Sequence, residues 1–130
     1  MIAAGLHSLK LRILVAEDDS EMRALLTREL SAEGYEVIQV ENGAAAALHI
    51  DREACDLVIA DLKMPEMGGL ELLTMVKGSH AEIPVIVMTA FGDWSSFAEA
   101  FEKGCSSYLR KPFKMAELKS AVRKALEEAT

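Results

Sequence analysis

The stretch RILVAEDDSEMRALLTRELSAEGYEVIQV, residues 12–40, holds one complete unit of the fold. RILVA (12–16) and EVIQV (36–40) are short and rich in branched residues, and both read as strands. Between them Met22, Leu25, Leu26 and Leu30 fall on one helical stripe, and Gly34 is placed to end that helix in a left-handed conformation. Strand, helix and strand joined by short links make the repeating unit of a parallel sheet. In its middle stand three consecutive carboxylates, Glu17, Asp18 and Asp19. Two like charges about 4 Å apart cost on the order of 4 kcal/mol at an effective dielectric near 20. Either a positive group sits among these acids, or they are solvated and cap the helix.

The same alternation continues outward. DLVIA (56–60), PVIVM (84–88) and SSYL (106–109) read as three more strands, several of them apolar on both faces as buried parallel strands must be. Asn42 is placed to cap an alanine-rich second helix and Asp93 a fourth, while Asp19 suits the cap of the first. A short third helix, about 70–78, follows the flexible pair Gly68–Gly69. The last helix repeats apolar positions at Met115, Leu118, Val122 and Leu126, but Lys114 is a poor N-cap and leaves its start open. Trp94, Phe97 and Phe101 read as core or as the surface of the fourth helix. The expectation is one α/β domain, a doubly wound, five-stranded parallel sheet with helices on both faces.

Bulk properties exclude several functions. The 130 residues carry a net charge of −7, which argues against direct nucleic-acid binding, since phosphate recognition needs a basic patch. No apolar run approaches the roughly 20 residues of a membrane span. MIAAGLHSLK (1–10) is too short for a signal peptide, and its basic residue lies on the wrong side of the apolar part. Cys55 and Cys105 form no CxxC motif, which fits a reducing, intracellular setting. His7, His49 and His80 show no ligand spacing, so no zinc site is expected.

Position is what makes the polar residues informative. Strand one runs into Glu17–Asp18–Asp19, strand three into Asp61, strand four into Thr89 and strand five into Arg110–Lys111–Pro112. In an open parallel sheet these carboxyl ends share one edge, and ligands bind where the strand order reverses. In a 2-1-3-4-5 order, strands one and three flank that crevice, so the acids of strand one converge with Asp61. Thr89 and Lys111 then lie on the far side of Asp61. Such a cluster of hard oxygens suits Mg²⁺. A carboxylate beside the metal can attack a phosphoryl group and form an acyl phosphate. Asp61 fits the nucleophile, with Lys111 and Thr89 placed to bind phosphoryl oxygens.

VAEDD, IADLKMPEMGGLELL, PVIVMTAFGD and SYLRKPF, in this order and at four strand ends, resemble the receiver domain of bacterial two-component response regulators. TAFGDWSSFAEAFEKG is similar to receivers of enhancer-binding transcription regulators. The resemblance covers nearly the whole chain and implies a flavodoxin-like (βα)5 receiver at 11–127, between an N-terminal extension (1–10) and a short tail (128–130). It implies Asp61 as phosphoacceptor, and Mg²⁺ ligated by Asp18, Asp61 and the Lys63 carbonyl, with Glu17 behind a water. Thr89 matches the hydroxyl that follows the phosphoryl group, Lys111 the phosphate-pairing lysine and Tyr108 the switch aromatic. The Lys111–Pro112 bond is expected to be cis. Two departures are Glu17, where aspartate is commoner, and Gly68, where receivers often carry aspartate. Phe91, beside the site, is expected to shield it from water.

The implied function is a phosphorylation-controlled signalling switch in the cytoplasm, not an enzyme in the ordinary sense. A sensor histidine kinase donates the phosphoryl group, and the face of helix four, strand five and helix five binds an effector or a second copy. Each residue alone has a plainer reading: Asp61 as a turn residue, Thr89 as a strand-end hydroxyl, Lys111 as a solvated lysine, Tyr108 as sheet packing. Their conjunction favours the switch. A dehalogenase-type phosphatase needs a second aspartate two residues after the nucleophile, where Lys63 stands. A flavin carrier needs a phosphate-cradling loop after strand one, where acids stand instead. A phosphate-independent scaffold is the stronger rival, yet Asp18, Asp61 and Lys111 are all retained.

Overall fold

Leu57–Asp61 and Val85–Thr89 are buried at every position, a pattern that requires helices on both faces of the sheet. The computed structural model describes residues 10–90 and 92–129. The expected N-terminal extension therefore lies outside the described residues except for Lys10, as do Phe91 and the last residue of the expected tail. Strands and helices alternate as β1 (Arg12–Ala16), α1 (Ser20–Ala32), β2 (Glu36–Val40), α2 (Gly43–Arg52) and β3 (Leu57–Asp61). They continue as α3 (Gly69–Ser79), β4 (Val85–Thr89), α4 (Trp94–Glu102), β5 (Ser107–Arg110) and α5 (Met115–Ala129). The five strands are parallel in the order β2-β1-β3-β4-β5, as expected.

The two-residue period of the strands sorts the core into two layers. Leu14, Val58, Ala60, Val85 and Val87 pack with Ile50 of α2, Leu72, Leu73 and Val76 of α3, and Ala100 of α4. Ile13, Val15, Leu57, Ile59, Ile86 and Met88 face the other way, onto Leu26 and Leu30 of α1 and Leu118, Val122 and Leu126 of α5. β3, β4 and β5 each run one residue later than the apolar pattern suggested. Their pairing extends through Asp61↔Met88 and Thr89↔Arg110, so Asp61 and Thr89 are held by the sheet itself.

Helix ends follow the local chemistry. Asp19 Oδ1 accepts from the N–H groups of Glu21 and Met22, and Asn42 Oδ1 from that of Ala45; such caps each contribute about 1 kcal/mol. Asp93 and Ser96 form a reciprocal capping box on α4. At the end of α1, Gly34 takes φ +97°, and the N–H groups of Gly34 and Tyr35 donate to the carbonyls of Ser31 and Leu30. α5 begins at Met115, where the Glu117 carboxylate reaches back to accept from the Lys114 N–H, the half of a capping box that needs no acceptor on the lysine side chain.

The start of α2 is held by the loop after β3. Gly43 N–H donates to Met67 O at 3.1 Å and Ala44 N–H to Glu66 O at 3.0 Å. Both acceptor residues have positive φ, +52° at Glu66 and +102° at Met67. A Cβ at Gly43 would lie 2.2 Å from Met67 O, a backbone atom with little room to move. Gly43→Ala is expected to destabilise the fold by about 2 kcal/mol, as overpacking does, read as a lower urea midpoint.

Candidate functional site

Glu17 follows β1, Asp61 ends β3 and Thr89 ends β4; these three are the buried polar or charged residues among those described. Glu17 is 0% exposed, Asp18 beside it is exposed, and carboxylate oxygens of Glu17, Asp18 and Asp61 lie within 4.8 Å of one another. Lys111, just beyond β5, places Nζ 2.5 Å from Glu17 Oε1 and 2.5 Å from Asp61 Oδ2. The remaining oxygens of these two acids accept backbone bonds, Glu17 Oε2 from Asp19 N–H at 3.2 Å and Asp61 Oδ1 from Lys63 N–H at 2.9 Å.

Burial pushes the Glu17 carboxyl up to about 7, against the lowering effect of its bond from Lys111. Burial also disfavours the Lys111 ammonium, but its bonds to Asp61 and Glu17 outweigh that and hold its pKa above the ordinary value. The ammonium offsets part of the repulsion between the two buried acids. Asp18, open to solvent, gives the cluster a side from which a hydrated cation can approach. An all-oxygen donor set with one open face fits Mg²⁺, which keeps several of its waters.

The structure thus brings together Glu17, Asp18, Asp61 and Lys111. Lys63 reaches the cluster through its backbone, and Thr89 is fully buried beside it in the sheet, its carbonyl accepting from the Lys111 N–H at 2.8 Å. The Lys111–Pro112 bond is cis. Tyr108 is not part of the carboxylate cluster. Half-buried, it shares a 2.9 Å hydrogen bond between its hydroxyl and Ser96 Oγ of α4, and its ring meets Phe97 edge-on at 5.3 Å. Trp94 is 78% exposed and stacks on Phe97, and Phe101 is also exposed, so α4 presents an aromatic surface next to Tyr108. His49 pairs with Glu53 and His80 with Asp51, and among the described residues no histidine joins a group of three metal-ligating side chains.

Two contributors were not legible in the sequence. Ser96 could have been noted from its capping spacing to Asp93, but its bond to Tyr108 depends on the packing of α4 over β5. Arg23 carries no motif; its guanidinium reaches back to the Glu17 carbonyl at 2.6 Å.

A family model described as the response regulator receiver domain matches residues 13–123. Sporulation initiation phosphotransferase F of Bacillus subtilis is 37% identical over 115 residues, covering 88% of this chain and 93% of that protein. The DNA-binding transcriptional regulator NtrC of Escherichia coli is 36% identical over 114 residues, but this chain spans only 24% of its length. Among solved structures, a CheY-like response regulator receiver domain protein of Methanospirillum hungatei superposes with a TM-score of 0.89 at 26% identity, over 92% of this chain and 96% of that one. Response regulator protein TrrA of Thermotoga maritima, in complex with Mg²⁺ and BeF, gives 0.81 at 35% identity, over 88% and 98%.

Proposed function

Because this chain belongs to the response regulator receiver domain family and so serves in a phosphorelay, we propose that it is switched by transfer of a phosphoryl group to Asp61. The observation that carries this reading is the convergence of the Glu17, Asp18 and Asp61 carboxylates opposite Lys111 Nζ. Asp18, Asp61 and the Lys63 carbonyl would hold Mg²⁺, with Glu17 acting through a water. When bound, the ion supplies screening between the incoming phosphate and the acids and a Lewis-acid contact to a phosphoryl oxygen.

The protein's own groups account for the rest. An Asp61 carboxylate oxygen attacks phosphorus, a P–O bond forms, and the bond to the donor breaks. The electron pair leaves with the donor, a kinase histidine or a small acyl phosphate. Lys111, already on Asp61 Oδ2, turns to pair with a phosphoryl oxygen, and the Thr89 hydroxyl donates to another. Tyr108 and the aromatic face of α4 respond, remodelling the α4–β5–α5 surface toward an effector or a second copy. This is a shift between two states of the domain, driven by contacts that the phosphorylated state alone makes.

In this reading the domain catalyses its own phosphotransfer and slow dephosphorylation, and a sensor histidine kinase supplies the phosphoryl group in the cytoplasm. The receiver unit runs over residues 11–127. Two free buried cysteines, Cys55 and Cys105, support a reducing compartment. Among the described residues no helix is long and apolar enough to cross a membrane. The test is intact mass after incubation with acetyl phosphate. One phosphoryl group is expected with Mg²⁺ and none in EDTA. Absence of both this gain and beryllofluoride binding would leave the phosphate-independent scaffold as the reading to adopt.

A further inference from the structure

The turn that carries Asp18 is gripped from within α1. Arg23 Nη1 donates to the Glu17 carbonyl at 2.6 Å, and the arginine side chain is only 15% exposed. Its other partner, Glu41, lies 3.7 Å away and is 77% exposed; exposed pairs of this kind contribute about 0–1 kcal/mol. The carbonyl is therefore the contact that matters. Glu17 N–H donates to Val40 O at 3.1 Å, so both backbone polar groups of Glu17 are engaged. On the far flank, Asp19 is fixed by its bonds to the Glu21 and Met22 N–H groups, and its carbonyl accepts from Arg23 N–H at 2.9 Å. Asp18 stands between two anchored residues, exposed and outside any regular element.

We infer that Arg23 is a positioning residue for the cation site: by holding the Glu17 carbonyl it sets the direction in which the Asp18 carboxylate meets Asp61. The inference rests on the metal reading above and deepens it. A rival account makes a prediction of opposite sign. Arg23 is a cation, and as a mere charge near a cation site it would repel Mg²⁺, so its removal would tighten binding. Loss of positioning loosens binding instead, because Asp18 no longer waits in a ligating orientation.

The experiment is calorimetric titration of Mg²⁺ into the wild type, Arg23→Met and Arg23→Gln. The first variant keeps the aliphatic stem without the donor. The second, too short to reach the carbonyl, answers the question should the first fail to fold. The Kd is expected to rise about tenfold in each, the low end for loss of an outer-shell partner. With acetyl phosphate, half-saturating Mg²⁺ should rise by the same factor, while the rate at saturating Mg²⁺ stays within about twofold. Unchanged or tighter Mg²⁺ binding in a folded variant overturns the inference, as does a rate loss that saturating Mg²⁺ does not restore. Failure of the wild type to bind Mg²⁺ would instead overturn the metal reading itself. Wild-type Mg²⁺ binding with neither phosphorylation nor beryllofluoride binding would overturn only the role given to Asp61.

Discussion

Asp61→Asn is expected to abolish the Mg²⁺-dependent phosphoryl gain while leaving the fold intact. The amide has the size of the carboxylate and can still accept from Lys63 N–H, the bond that orients Asp61 Oδ1. What it lacks is the anionic oxygen that attacks phosphorus. A loss of at least about a thousand-fold corresponds to roughly 4 kcal/mol of barrier, and places the product below detection by intact mass. Stability should hold or rise slightly, because one of two adjacent buried acids becomes neutral while Lys111 keeps its bond to Glu17. A thermal melt beside the mass measurement separates lost chemistry from lost structure. A Mg²⁺-dependent phosphoryl group on the folded variant would move the acceptor to another carboxylate, with Asp18 the first to examine.

Lys111→Met should have the largest effect on stability in the absence of divalent cations. Its ammonium is the shared partner of Glu17 and Asp61, both buried. Removing one partner from a buried ion pair costs about 3 kcal/mol, since the charge left behind has lost its compensation. The deficit is expected to depend on pH through Glu17. Burial already holds the Glu17 pKa at about 7, above its value in the unfolded chain, and losing the Lys111 bond raises it further. A folded pKa above the unfolded one means that the folded state holds the extra proton. Stability is therefore greatest below the unfolded pKa and falls as pH rises through the folded one. Urea unfolding in EDTA should show a larger deficit at pH 8 than at pH 6. Added Mg²⁺ should recover much of it, by replacing one countercharge with another. A variant as stable as the wild type at pH 8 in EDTA would remove Lys111 from its place as the countercharge.

Much of this architecture was legible because its causes are local. The apolar runs became strands and the spaced leucines became helices. Asp19, Asn42 and Asp93 cap the helices that follow them, and Gly34 closes α1. Three strand boundaries moved by one residue because pairing with a neighbouring strand, and not apolarity alone, decides where a strand stops. The convergence of Glu17, Asp18 and Asp61 followed from parallel topology, which delivers the carboxyl end of every strand to one edge.

The sequence by itself thus determined the element types and the parallel class of the sheet, since periodicity, capping and connection length act over a few residues. The strand order, and with it the place on the edge at which the acids meet, was legible only through the resemblance to receiver domains. Tertiary structure alone decided that Lys111 bridges Glu17 and Asp61, residues 94 and 50 positions away from it. It also decided that Met67 leaves no room for a side chain at Gly43 and that Ser96 meets Tyr108 across α4 and β5. The grip of Arg23 on the Glu17 carbonyl belongs with these, because the reach of a long side chain depends on how α1 lies against β1. Such contacts carry no periodic signal. They exist only once packing has brought distant segments within a hydrogen bond of one another.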